Sequence, residues 1–164
     1  MPGLLFATAG SKLEIGAVLA FEGTDLVKSD FDTAMADAVE IGGATNLGSA
    51  GDTSSLITSE HIATVRTRKM KGTRDAGSME ILCDFDYSDP GQLALIAAEK
   101  TPYSYAFRIT FSDAPSGGTP SERYFVALIM KVEEQMSEAN NTVKLATTLE
   151  IDSNIVRVNA AEAA

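Results

Sequence analysis

The chain has 164 residues, with 13 Lys plus Arg against 23 Asp plus Glu and a net charge of −10. That balance excludes a surface that grips nucleic acid or an anionic membrane as a whole, because phosphate binding runs on clustered cations. A single cysteine excludes an internal disulfide, and 45% hydrophobic residues suffice for the core of one domain over residues 1–164.

Residues 4 to 7 are apolar, but no basic n-region precedes them, so a secretory leader is not expected. No stretch approaches the roughly 20 apolar residues of a membrane span. Lys12 to Phe21 reads as a strand bent at Gly16. Residues 22 to 37 carry Glu22, Asp25, Asp30, Asp32 and Asp37 against Lys28 alone, and read as a solvated acidic connection. Ala38 to Ile41 is a short strand. It runs into a span holding Gly42, Gly43, Gly48 and Gly51, which predicts a mobile segment with little packing of its own. Thr53 to Glu60 resumes as a strand of β-branched and small residues.

The next stretch is basic: Arg66, Arg68, Lys69, Lys71 and Arg74 sit in a polar, glycine-containing run inside an acidic chain. It reads as a solvated loop, a nucleic-acid contact, or a dock onto the acidic surface of another copy. Charge arithmetic favours the dock over nucleic acid.

From Ser78 to Asp86 the pattern alternates. Met79, Ile81, Cys83 and Phe85 fall on one face and Glu80, Asp84 and Asp86 on the other. Asp89-Pro90 then supplies an N-cap acid with proline at the first helical position, followed by Leu93, Ile96 and Ala97 at helical spacing. An aromatic strand comes next, with Tyr103, Tyr105, Phe107, Ile109 and Phe111 on one face. Arg123 to Glu133 is apolar on both faces over its middle, which predicts cover on both sides. Thr142 to Ile151 alternates, with Val143, Leu145, Thr147, Leu149 and Ile151 inward. Residues 159–164 have nothing to bury, and both termini are expected to be loose. The sum is a mainly β domain, a sandwich or rolled sheet with one flanking α-helix.

Catalytic chemistry has little to hold. His61, the one histidine, stands beside Glu60 as a surface residue would, and Cys83 alternates inward as a small hydrophobe. Glu80, Asp84 and Asp86 share a face that could hold a hard cation, yet nothing in their spacing resembles a calcium loop. The glycine-rich span lacks the Gly-Lys-Ser/Thr ending of a phosphate loop. No enzyme activity, metal or cofactor is expected.

The order of Ala38-Val39-Glu40-Ile41-Gly42-Gly43, Gly51 to Ser59, the basic connection, Gly77 to Asp86, Ser88-Asp89-Pro90-Gly91 with its helix, and the strand around Tyr124 to Met130 resembles the major tail tube proteins of long-tailed bacteriophages. The resemblance covers roughly residues 10 to 158. It implies a β-sandwich subunit that forms hexameric rings, with sheets continuing edge to edge around a lumen through which the genome leaves. It also implies location in a virion tail assembled in the host cytoplasm, with tape-measure and tail terminator proteins as partners and DNA passing without specific binding. Under that resemblance residues 42–75 are the flexible loop that reaches a neighbouring subunit, and Arg66, Arg68, Lys69, Lys71 and Arg74 make the contact. Glu80, Asp84 and Asp86 are then candidates for an acidic lumen wall. A tail terminator, a gene-transfer-agent tube, or a monomeric β-sandwich module binding through Tyr103 and Tyr105 are the alternatives.

Overall fold

A computed structural model describes residues 5–164. In chain order the elements are β1 (Lys12–Val18), α1 (Lys28–Phe31), β2 (Val39–Glu40), β3 (Ala44–Asn46), β4 (Thr53–Ser59), β5 (Arg68–Asp75), β6 (Ser78–Asp84), α2 (Pro90–Glu99), β7 (Tyr105–Thr110), β8 (Glu122–Gln135), β9 (Lys144–Ile151) and β10 (Val156–Val158). The main sheet runs β2-β1-β7-β8-β9-β6-β3, with β10 paired to β8, and every pairing in it is antiparallel.

The two ends of that order are one piece of chain. Ile41 N donates to Leu13 O on β1 at 2.8 Å, and two residues later Gly43 O accepts from Asp84 N on β6 at 2.8 Å. The segment 39–46 therefore bonds β1 with its first half and β6 with its second, and closes the sheet into a barrel. Closure removes sheet edges along this seam. The kink between the halves needs glycine: Gly43 sits at φ +71°, and a Cβ there would press on Asp84's backbone. The expectation of little packing in this span is thus corrected, since Gly42, Gly43 and Gly48 all lie against neighbouring chain.

Inside the barrel Leu13, Ile15, Met79, Ile81, Cys83, Phe107, Phe125, Leu145 and Leu149 form the core, and Phe107 stacks on Phe125 at 5.5 Å. The alternation read from the sequence of β6, β7 and β9 puts these side chains inward. In β8 the two-sided apolar run is covered on both sides, as expected. Phe125, Ala127 and Ile129 face the core, while Tyr124 and Val126 face a second cluster with Phe31, Ala34 and Met35. A register shift between Ile129 and Lys131 then reverses the phase, so Met130 is exposed and Val132 packs inward.

That second cluster corrects the reading of residues 22–37 as a solvated connection. The acids do stay outside, but Phe31, Ala34 and Met35 are buried beneath them against the outer face of β7 and β8. A short second helix, α1, presents Phe31, and the turns that follow it present Ala34 and Met35. The segment is tied down by Asn154, which accepts from Leu26 N at 2.7 Å and donates to Leu26 O at 3.0 Å. The bend at Gly16 appears as a register shift in β1, where Ala17 N donates to Ala34 O at 2.8 Å.

Helix α2 plugs one end of the barrel. Asp89 caps it, accepting from Gln92 N at 2.8 Å and from Gly42 N at 3.1 Å on the seam. The buried row is Gly91, Gln92, Leu95 and Ala98 rather than the expected Leu93, Ile96 and Ala97. Gln92 sets this rotation. Fully buried, it accepts from Asp86 N at 3.0 Å through Oε1 and donates through Nε2 to Gly42 O at 3.0 Å and Asp84 O at 2.9 Å. A Cβ on Gly91 would collide with the Glu40 carbonyl, so the helix can lie directly on the seam only with glycine there. At the C-terminus, residues expected to be loose pair instead: Thr119 N donates to Ala161 O at 2.9 Å. The expectation for the first four residues lies outside the described part of the chain.

Candidate functional site

Two surfaces stand apart from the closed barrel. The first is a ribbon of β4 and β5, which pair only with each other and form a separate two-stranded sheet. Arg68 to Asp75 is strand, so the basic run read as a loop is half of a hairpin. Ile57 stands opposite Met70, Thr58 opposite Lys69 and Ser59 opposite Arg68. The chain from 53 to 71 is exposed apart from a half-covered Ser54, including Leu56 at 65%, Met70 at 63%, and Ile62 and Val65 at the tip. A lone two-stranded ribbon is marginal in water, and this one shows apolar side chains on both faces.

The five cations do not act alike. Arg74 pairs with Asp52 at the base of the ribbon, which fastens the hairpin where it leaves the barrel. Arg66, Arg68, Lys69 and Lys71 form no ion pair among the described residues. Sequence composition could not separate Arg74 from the rest, because Asp52 lies 22 residues away and meets it only through strand pairing.

The second surface is the outer face of β6, β9 and the far half of β8. Register places Ser78, Glu150 and Leu128 in one row and Glu80, Thr148 and Lys131 in the next. Leu82, Ala146 and Glu133 follow, then Asp84, Lys144 and Gln135. Lys144 Nζ lies 2.7 Å from Asp84, and Lys131 Nζ lies 2.7 Å from Glu133. The Lys144 bond, helped by Thr142, holds the Asp84 carboxyl below its ordinary value. Glu80 and Glu150 have no cation partner among the described residues, so the face carries a net negative charge.

Of the acids singled out in the sequence, Glu80 and Asp84 share this face and Asp86 does not. The strand ends at Asp84, and Asp86 turns into the approach to α2, accepting from Ser88 N at 2.9 Å and Ser88 Oγ at 2.6 Å. Alternation extrapolated one step too far, past the point where Gln92 captures the backbone. Glu133 and Glu150 were missed; a register for β8, β9 and β6 would have found them.

β8 also has an open margin. β7 accompanies it only from Glu122 to Ala127, whereas β9 continues to Gln135 on the other side. Among the described residues β8 has a strand on one side alone from Leu128 onward, with α2 packed against β8 through the core shared by Leu95, Ala98, Ile129 and Val132. Tyr105 is half-buried with its hydroxyl 3.0 Å from Thr101 Oγ1, so of the aromatic pair only Tyr103 is exposed. His61 lies on the hairpin with Nε2 at 3.2 Å from Ser59 Oγ, and Cys83 is buried in the core.

The barrel fold has counterparts among solved structures at low sequence identity. No protein-family model matches the sequence, and no curated protein matches it. Among solved structures the fold aligns with a component of the anti-feeding prophage baseplate at TM-score 0.66 and 11% identity, covering 97% of this chain and 97% of that one. It aligns with the SPP1 tail tube protein at TM-score 0.66 and 14% identity, covering 96% and 81%. The sheath/tube terminator of an extracellular contractile injection system, PVC, aligns at TM-score 0.68 and 10% identity, covering 96% and 99%. At these identities what is shared is the fold, and the expectation of a mainly β tube-type domain holds.

Proposed function

We propose that this chain is a structural tube subunit that forms hexameric rings, stacked into a conduit for a genome. The observation that carries the reading is the β4–β5 ribbon. It projects from a finished barrel, exposes Leu56, Met70, Ile62 and Val65, and bears four cations that form no ion pair among the described residues. Such a ribbon is stabilised only when another surface covers it. The densest counter-charge available is a second copy of a chain with net charge −10. The ribbon, residues 53–75, gains its final order on that contact, while residues 42–48 are already held on the seam of their own barrel.

Two further features suit a ring. The open margin of β8 from Leu128 to Gln135 offers backbone groups to a neighbour's strand, so that sheets continue from subunit to subunit. The face carrying Glu80, Asp84, Glu133 and Glu150 then becomes the lumen wall, where net negative charge keeps a polyanion from releasing counterions and sticking. The anti-feeding prophage baseplate, whose fold is similar, is a 6-fold symmetrised assembly, which supports the ring number proposed. Tape-measure and terminator proteins are the partners such a tube requires.

Charge reversal of Arg66, Arg68 and Lys69 to Glu tests the reading. Negative-stain microscopy of concentrated protein is expected to show rings and tubes for the wild type and only dispersed subunits for the variant. Far-UV circular dichroism should show an unchanged barrel. Wild-type protein that stays a 17.3 kDa monomer at high concentration with assembly partners present refutes the proposal in favour of a binding module. A terminator of the same fold is the second reading, since the PVC sheath/tube terminator aligns over almost its whole length. It predicts single rings that never lengthen.

A further inference from the structure

We propose that the open mouth of the barrel is a socket for the β8–β9 turn of a second copy, stacked head to tail. The inference rests on the tube reading and names an axial contact within it. At the end of the barrel opposite α2, a groove of about 420 Å³ opens between Phe6, Leu47, Met79, Ile109, Phe111 and Ile155. Two guanidinium groups also line it. Arg123 of β8 and Arg157 of β10 stand directly opposite each other in register. Like charges so placed work against the fold unless an anion joins them.

No carboxylate of the same subunit forms an ion pair with either arginine among the described residues. Arg123 is held by neutral oxygens, donating to Glu122 O at 2.8 Å, to Val158 O at 3.0 Å and to Asn159 Oδ1 at 3.4 Å, and it lies 5.3 Å over the Phe111 ring. Burial and the charge of Arg157 both disfavour its cationic form. Asp113, held ionised chiefly by its bonds to Ser121, offsets part of the Arg123 charge, whereas the exposed Arg157 has no carboxylate partner among the described residues. The mouth is therefore apolar and net positive, with Arg123 partly offset by Asp113 and Arg157 not. Its occupant must be apolar and acidic.

The opposite pole of the same molecule offers that chemistry. β8 spans 14 residues from the mouth to Gln135, and the turn that follows, residues 136–143, is exposed throughout. It carries Met136 at 75% exposure and Val143 at 41%, together with Glu138 and no cation. A methionine adapts its shape to an irregular groove, and Glu138 supplies the missing anion. Residues 1–4 contain no acidic side chain and so bring no carboxylate to the arginines. Socket and plug lie on opposite poles of one chain, so the contact is heterologous and open-ended, which builds columns along the barrel rather than closed dimers.

Paired charge reversals test this. Glu138→Lys and Arg157→Glu are each expected to cut tube formation, read by sedimentation and microscopy, at least about tenfold at a fixed concentration. The double variant, which restores opposite charges across every axial contact, is expected to recover tubes. In a second measurement, Met136→Cys and Thr8→Cys are combined and tubes are oxidised. A ladder of cross-linked species extending beyond the dimer supports the socket, and Cys83, buried in the core, does not contribute. Wild-type tubes that tolerate Glu138→Lys, or oxidised tubes without a ladder, overturn the socket while leaving the tube reading intact. Stacking that survives Glu138→Lys but fails on deletion of residues 2–4 gives the groove to the N-terminal segment and likewise overturns the proposal. Wild-type protein that never assembles refutes the tube reading itself.

Discussion

Replacing Gln92 with leucine should open the seam on which the barrel closes. The side chain is fully buried and its amide serves three backbone groups: Asp86 N–H, Gly42 C=O and Asp84 C=O. Leucine fills a similar volume, so cavity formation is a minor effect and the loss is one of hydrogen bonding. At about 1 kcal/mol for each bond, the substitution should cost about 3 kcal/mol, with more if the orphaned groups stay dry. For a domain of this length that lowers the melting temperature by about 6–12 °C. Urea unfolding of dilute, unassembled protein measures the loss directly, and amide exchange at Asp84 and Ile41 should quicken before the rest of the sheet. Gln92→Glu sharpens the test. It keeps an acceptor for Asp86 N–H but turns the donor end into a carboxylate facing two carbonyls and Asp89. It should therefore be worse than leucine at neutral pH and recover as the carboxyl protonates and donates again. A loss below about 1 kcal/mol for leucine, or a glutamate variant whose stability ignores pH, would refute the clasp.

Phe31→Ala should cost about 3–5 kcal/mol in urea unfolding, because the ring is fully buried between the acidic segment and β8. A surface-like loss of a few tenths would return residues 22–37 to the status of a solvated connection. Gly91→Ala should destabilise sharply despite its helix-friendly chemistry, since the new methyl meets the Glu40 carbonyl; thermal melting at or above wild type would contradict this. The Cys83 thiol, pushed up from 9.0 to about 11 by burial first and by Asp89 and Asp84 after it, should resist thiol reagents at pH 8 until the protein unfolds. The folded state holds its proton more tightly than the unfolded chain, so this group's contribution to stability is present below pH 9 and is lost as pH climbs towards 11. Rapid labelling of folded protein would refute it.

The sequence alone determined whatever depends on short-range periodicity. The inward faces of β6, β7 and β9, the Asp89-Pro90 helix start and the two-sided burial of β8 are all written in local alternation, because a side chain's face follows from its parity along a strand. The bend at Gly16 and the strand Thr53–Ser59 were legible for the same reason. Tertiary structure decided whatever depends on which distant segments meet. Phe31 and Met35 looked like scattered apolar residues in an acidic run until α1 and the turns after it laid them on the outside of β8. Leu95 rather than Leu93 faces inward because Gln92 locks onto backbone groups up to 50 residues away, and no helical periodicity encodes that rotation. Asp86 left the acidic face where the strand ended, and Glu133 and Glu150 joined it through register. Glycines 42 and 43, which in sequence look like slack, become the corner that closes the barrel, because only the paired strands on either side give that corner something to close against.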